Sequence, residues 1–183
     1  MMTTLTLWLF GLAAAPPVDV PEHPAEPVFA TEGRSADGRY RFAVDDGQVS
    51  VWRLVGNKRV GHVTFAMKNA EGRFVSGNNV LVTGSCGSPC EVGTLFTPTG
   101  RILTSLMYPM SSSDGRYALD LDVINLSPGD TVVTVVDLKT GRKVGGPTTY
   151  PGLFGCTESW SSKDAFEFRG CADGHPIRVP FQP

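Results

Sequence analysis

Ser35-Ala36-Asp37-Gly38-Arg39-Tyr40 and Ser112-Ser113-Asp114-Gly115-Arg116-Tyr117 share the pattern S-x-D-G-R-Y. Asp-Gly supplies the positive φ of a tight turn, and a period-two run follows it in both places. Tyr40, Phe42 and Val44 alternate with Arg39, Arg41 and Ala43; Tyr117, Leu119, Leu121 and Val123 alternate with Ala118, Asp120 and Asp122. That period marks a half-buried strand. A weaker copy of the phrase is Asn69-Ala70-Glu71-Gly72-Arg73-Phe74, and a degraded fourth is Ser161-Ser162-Lys163-Asp164-Ala165-Phe166. The copies recur at a mean spacing of about 40 residues, the length of a propeller blade.

Outward from each phrase lies a second apolar run: Val49–Leu54, then Val80–Val82 with Val92–Phe96, then Val132–Leu138. Each run ends in a turn with a basic residue: Gly56-Asn57-Lys58-Arg59, Thr99-Gly100-Arg101 and Thr140-Gly141-Arg142-Lys143. The unit reads turn, strand, strand, turn, strand, written about four times. One such unit cannot bury its apolar face alone, whereas stacking against its neighbours does so. The expected fold is all-β: a small, repeat-built, propeller-like domain of about four blades over residues 28–183. An incomplete propeller and a two-sheet sandwich with similar hairpins are the alternatives.

Composition agrees. The chain has 183 residues, 41% hydrophobic and 19% charged, a globular balance. Its 21 Gly and 14 Pro favour many short strands over long helices. Residues 1–33 hold four acids (Asp19, Glu22, Glu26, Glu32) and no Lys or Arg, so all 16 basic residues lie beyond them. They form no phosphate-tracking cluster, which argues against nucleic-acid binding.

Leu5–Ala15 is uncharged, mostly apolar and ends in Gly11-Leu12-Ala13-Ala14-Ala15. This reads as a signal peptide over residues 1–15 with cleavage after Ala13 or Ala14, Pro16 being a poor first mature residue; a disordered apolar tail is the alternative. The run is too short for a membrane span, which needs about 20 residues, so no span is expected after signal removal. Residues 16–27 carry five prolines and three acids and read as an extended linker. The expected location is periplasmic or extracellular.

Cysteine usage agrees with export. The four cysteines Cys86, Cys90, Cys156 and Cys171 are an even set that suggests disulfides. Three connectivities are open, and the local one, Cys86–Cys90 with Cys156–Cys171, is the simplest. A four-cysteine zinc site could form only through the fold.

The two S-x-D-G-R-Y phrases, their strands and the Asp137-Leu138-Lys139-Thr140-Gly141-Arg142 closure resemble the WD40-like propeller repeats of the TolB type. The likeness covers residues 35–61 and 112–145. This chain lacks the family's Pro before Asp37 and Asp114, and its repeats are fewer and unevenly spaced. In that family the phrase marks a strand start and carries no catalytic group. The resemblance implies a scaffold and little about activity.

No constellation specifies a reaction. The histidines are His23, in the linker, His62 and His175, and no serine sits in a G-x-S-x-G elbow. Asp120 and Asp122 share one strand face, and Asp45 and Asp46 end the matching strand of the first unit. Such acids could serve Ca2+ or act as an acid/base pair, but a solvated strand face is the simpler reading. No other cofactor is implied. Trp52, Trp160, Tyr108 and Tyr150 could line a binding surface, although burial between blades is the commoner fate. The reading that follows is a non-enzymatic binding module of the cell envelope or secreted fraction. It would present the Cys86–Cys90 and Tyr108–Ser113 loops to a protein or glycan. A propeller-type hydrolase or lyase acting on sugars or peptides is the alternative, and a structural remnant completed by oligomerisation is a third.

Overall fold

The computed structural model describes residues 29–45, 48–56, 58–66, 68–87, 90–123 and 129–181, with the side chains of 59–66 and of Cys86 outside that description. The expected leader and linker therefore lie outside the described residues, as do His23 and Asp46. The described chain is all-β, with single 3₁₀ turns at Ser76–Asn78 and Leu153–Gly155.

Four antiparallel sheets follow one another in chain order. The first is β1 (Glu32–Arg34), β2 (Tyr40–Asp45), β3 (Gln48–Val55) and β4 (Lys58–Ala66). The second is β5 (Glu71–Phe74), β6 (Val80–Gly87), β7 (Cys90–Phe96) and β8 (Ile102–Met107). The third is β9 (Met110–Ser111), β10 (Tyr117–Val123), β11 (Asp130–Asp137) and β12 (Arg142–Pro151). The fourth has three strands: β13 (Glu158–Ser161), β14 (Ala165–Arg169) and β15 (Ile177–Pro180). Within every sheet, neighbours in sequence are neighbours in space. Short turns impose that order, because an antiparallel pair needs only a hairpin.

Period-two alternation decides how the sheets pack. On β6, Val80 and Val82 meet Phe42, Val49 and Val51 of the first sheet. Leu81, between them, meets Ala118, Val136 and Leu138 of the third. On β10, Ala118 joins that same core, whereas Tyr117, Leu119 and Leu121 meet Phe166, Phe168 and Val179 of the fourth sheet. The second and third sheets are therefore buried on both faces. Among the described residues the apolar clusters join first to second, second to third, and third to fourth.

The S-x-D-G phrases connect the first strand of a sheet to its second. Ser35 Oγ donates to Asp37 and accepts the Tyr40 amide, 2.6 and 3.0 Å. Ser112 does the same with Asp114 and Tyr117, 2.7 and 3.0 Å. Gly38 and Gly115 take φ of 70° and 68°, as Asp-Gly requires.

The other two copies need correction. Glu71-Gly72 is no turn: both residues lie within β5. Gly72 is glycine because a Cβ there would meet the Phe42 ring at 3.1 Å. The real second-sheet turn is Val75–Asn79, with Gly77 and Asn78 at positive φ. So Val80–Val82 belongs to the strand after the turn, and only Val92–Phe96 matches the second run of the other units. In the fourth sheet Ser162, one residue later than expected, takes the serine role: its Oγ contacts Asp164 and the Ala165 carbonyl. Each unit also opens with a short strand that the sequence reading did not separate. Gly56, residues 99–101 and residues 140–141 lie between the third and fourth strands of their sheets, with Lys58 and Arg142 opening the fourth strands of the first and third, and Asp137 Oδ1 accepts both the amide and the hydroxyl of Thr140.

Consecutive turns touch. Asn78 donates to Asp37 at 3.1 Å, the Ser76 amide to the Gly115 carbonyl at 2.9 Å, and the Ser113 amide to the buried Ser161 hydroxyl at 2.9 Å. The buried Asn79 amide bonds the Leu138 and Lys139 carbonyls, 2.8 and 3.0 Å. Cys156 and Cys171 are disulfide-bonded, tying the entry of β13 to the loop after β14. Cys90 is disulfide-bonded as well.

Candidate functional site

The opposite end of the second sheet carries a polar cleft. On β6, Val80-Leu81-Val82-Thr83-Gly84-Ser85 changes from apolar to hydroxylic beyond the core. Thr83 pairs with Glu71 of β5, and Ser85 pairs with Glu91 of β7. Directly opposed residues share a face, and Thr83 and Ser85 are two apart. Both carboxylates and both hydroxyls therefore lie on the Leu81 face, beyond the core shared with the third sheet. Together with Asn69 and Cys90 they line an open cleft of about 450 Å³.

Local chemistry shapes its walls. The Ser85 amide bonds the Lys68 carbonyl at 3.1 Å, fastening the loop that brings Asn69 in with a φ of 46°. Ser85 Oγ accepts the Gly87 amide at 3.1 Å, ordering the hairpin toward Cys90. Thr83 is 9% exposed, and its hydroxyl has no hydrogen-bond partner among the described residues. Burial raises the Glu91 carboxyl from its ordinary value, because desolvation disfavours the charged form.

An aromatic pair is tied to one wall of the cleft through the backbone of Glu91. The Tyr108 amide bonds the Glu91 carbonyl at 3.0 Å. Tyr108, at φ 42°, sets its ring edge-on to Phe154, 5.0 Å between centroids. Pro109 covers Gly93, where a Cβ would meet its Cγ at 2.7 Å. Phe154 is 43% exposed.

The residues singled out from the sequence are dispersed. Asp120 and Asp122 share a face of β10, as expected, but Asp120 is used structurally. Its Oδ1 accepts the Met107 amide at 2.8 Å, and Lys143 lies 3.9 Å from Oδ2. Asp122 is exposed, and Asp45 ends β2 in an exposed position. His175 is exposed on the loop before β15, its amide on Asp173. The His62 and Cys86 side chains lie outside the described residues. Among the described residues no group of three or more His, Cys, Asp or Glu could hold a metal ion.

The aromatic residues divide. Trp52 is buried, with the Arg41 guanidinium 5.8 Å from its ring centre. Trp160 is half-buried beneath Arg169 at 4.8 Å. Tyr150 packs on the core shared by the third and fourth sheets. Tyr108 packs partly on that same core, and its link to the candidate site is its backbone amide on the Glu91 carbonyl.

Sequence reasoning missed Asn69, Glu71, Thr83, Ser85 and Glu91. One signal could have found them: β6 turns hydroxylic just where it enters the C-x3-C hairpin. No known protein family and no curated protein matches the chain. Among the described residues no helix is long and apolar enough to cross a membrane. A disulfide-bonded all-β chain is compatible with export.

Proposed function

We propose that this chain is an exported, non-enzymatic binding module that holds a neutral glycan at the hairpin end of its second sheet. The observation that carries the reading is the cleft itself. Glu71 and Glu91 accept hydrogen bonds from sugar hydroxyls, Thr83 and Ser85 both donate and accept, and Asn69 does both through its amide. Tyr108 and Phe154 offer ring faces and edges for the apolar side of a sugar. The Cys90 hairpin and the Tyr108 turn are the loops expected to meet a partner. A few convergent polar groups beside apolar surface are what small-ligand sites use.

The scaffold proposed for it is a propeller-like stack of four blades. Support comes from four consecutive up-and-down sheets, each packed on the next, with equivalent turns in contact at one end. The TolB-type likeness of Ser35–Tyr40 and Ser112–Tyr117 agrees with this. Export is supported by the apolar leader and the disulfide. N-terminal sequencing of the secreted chain should begin at Ala14 or Ala15, and retention of Met1 would remove that part of the reading.

The binding test is a titration of the folded chain with a panel of neutral oligosaccharides, followed by amide chemical shifts. Saturable shifts at Asn69, Thr83, Glu91 and Tyr108 are expected. Glu91→Gln and Phe154→Ala should each weaken binding about tenfold, the loss of one to two good contacts. Failure of every sugar to shift these amides would reject the glycan reading.

A further inference from the structure

We propose a second site, at the other end of the molecule between the third and fourth sheets, that binds a small anion bearing a carboxylate or phosphate group. A cleft of about 510 Å³ opens there, lined by Arg116, Tyr117, Lys163, Asp164, Arg178 and Phe181 among others. It adjoins the shortened turn of the fourth sheet. In the first and third sheets the turn serine reaches a carbonyl five residues on. In the fourth, Ser162 reaches one three residues on, because the Gly-Arg of the phrase is missing. The third sheet keeps its arginine, Arg116, facing the shortened turn.

The three cations stand in different states. Arg178 is held in place, Nη2 on Asp164 at 2.7 Å and Nε on Glu167 at 3.1 Å. Those two contacts leave further N–H groups of its five free to donate. Arg116 lies over the Tyr117 ring at 5.2 Å, with Nη2 3.3 Å from the tyrosine oxygen. No carboxylate contacts the Arg116 side chain among the described residues. Lys163 is exposed and has no ion-pair partner among the described residues. The facing carboxylates are Asp164 and Glu167, and both are engaged by Arg178. Three cations thus face two carboxylates, an excess of one positive charge, and the Arg116 guanidinium, which no carboxylate contacts among the described residues, suits bidentate contact with a carboxylate or phosphate. Tyr117 and Phe181, 4.8 Å apart, form an aromatic wall. A volume of this order takes a ring-sized ligand more readily than a bare ion.

The test is an amide chemical-shift titration of the full chain with sodium phosphate, sodium glucuronate and, as the uncharged control, glucose, at constant ionic strength. Saturable shifts at Arg116 and Asp164 with either anion, and none there with glucose, are expected. Phosphate alone would assign a phosphate monoester, and glucuronate alone a sugar carboxylate. The double variant Arg116→Gln, Lys163→Gln should weaken binding at least tenfold, about one charge-assisted hydrogen bond. Arg39→Gln, the same turn position in the first sheet, should leave it unchanged. Lys163→Gln alone removes an exposed, unpaired side chain, so it tests the site without endangering the fold, and a loss of about threefold is expected. Added NaCl should weaken binding to the wild-type chain. Absence of saturable shifts with both anions, or unchanged affinity in the double variant, would overturn the proposal.

Discussion

Phe42 shows how one side chain sets the chemistry of its neighbours. It is 1% exposed and lies between two glycines, Gly33 of β1 and Gly72 of β5, where added Cβ atoms would strike its ring. The Ala30 and Gly72 backbones bond reciprocally beside it, 3.0 and 2.9 Å, joining the first two sheets. Gly33→Val should therefore cost about 1–3 kcal/mol by overpacking, and Phe42→Ala about 3–5 kcal/mol, both read from urea denaturation. Asp37 offers a pH test. Hydrogen bonds from the Ser35 hydroxyl and the Arg39 amide hold its carboxyl below the ordinary Asp value. A folded pKa lower than the unfolded one gives stability above the unfolded pKa that is lost as pH falls through the folded one. The melting temperature should thus fall between about pH 5 and pH 2, and less steeply in Asp37→Asn, whose amide cannot titrate. An equally steep fall in that variant would show that other carboxylates dominate.

At the scale of the element, the S-x-D-G turn is legible because its chemistry is local. Serine, aspartate and glycine satisfy the turn within six residues, so no distant contact is needed. Ser112→Ala removes the acceptor of the Tyr117 amide and should cost about 1 kcal/mol or more, since that amide is buried. The Cys156–Cys171 disulfide closes a loop of 15 residues around β13 and β14. Chain entropy gives such a closure about 3 kcal/mol, so the double Cys→Ser variant should lose that much in denaturant. No change in midpoint would mean that the fourth sheet is held by packing alone. Where the sequence misled, the cause was also local: Glu71-Gly72-Arg73-Phe74 copies the composition of the phrase, while its glycine answers to Phe42 across the sheet interface.

At the scale of the whole molecule, the sheets depend on one another in series. The fourth contributes Phe166, Phe168, Val179 and Phe181 to the core it shares with the third. A chain ending before β13 should expose Tyr117, Leu119 and Leu121. It should bind a hydrophobic dye and associate, as seen by fluorescence and light scattering. A truncated chain that stays monomeric and dye-free would show that the first three sheets form a complete unit. The sequence by itself determined the class, the strand alternation, two of the four turns and the three basic closures. Each of these rests on interactions within a few residues or on a period of two. Tertiary structure alone decided the true second turn, the one-residue shift of the fourth and the two-sided burial of the middle sheets. It alone also gathered Glu71, Thr83, Ser85 and Glu91 in one cleft, and Arg116 with Lys163 in another. Those groupings join separate strands or separate sheets, and their distances follow from register and sheet packing, which spacing along the chain does not encode.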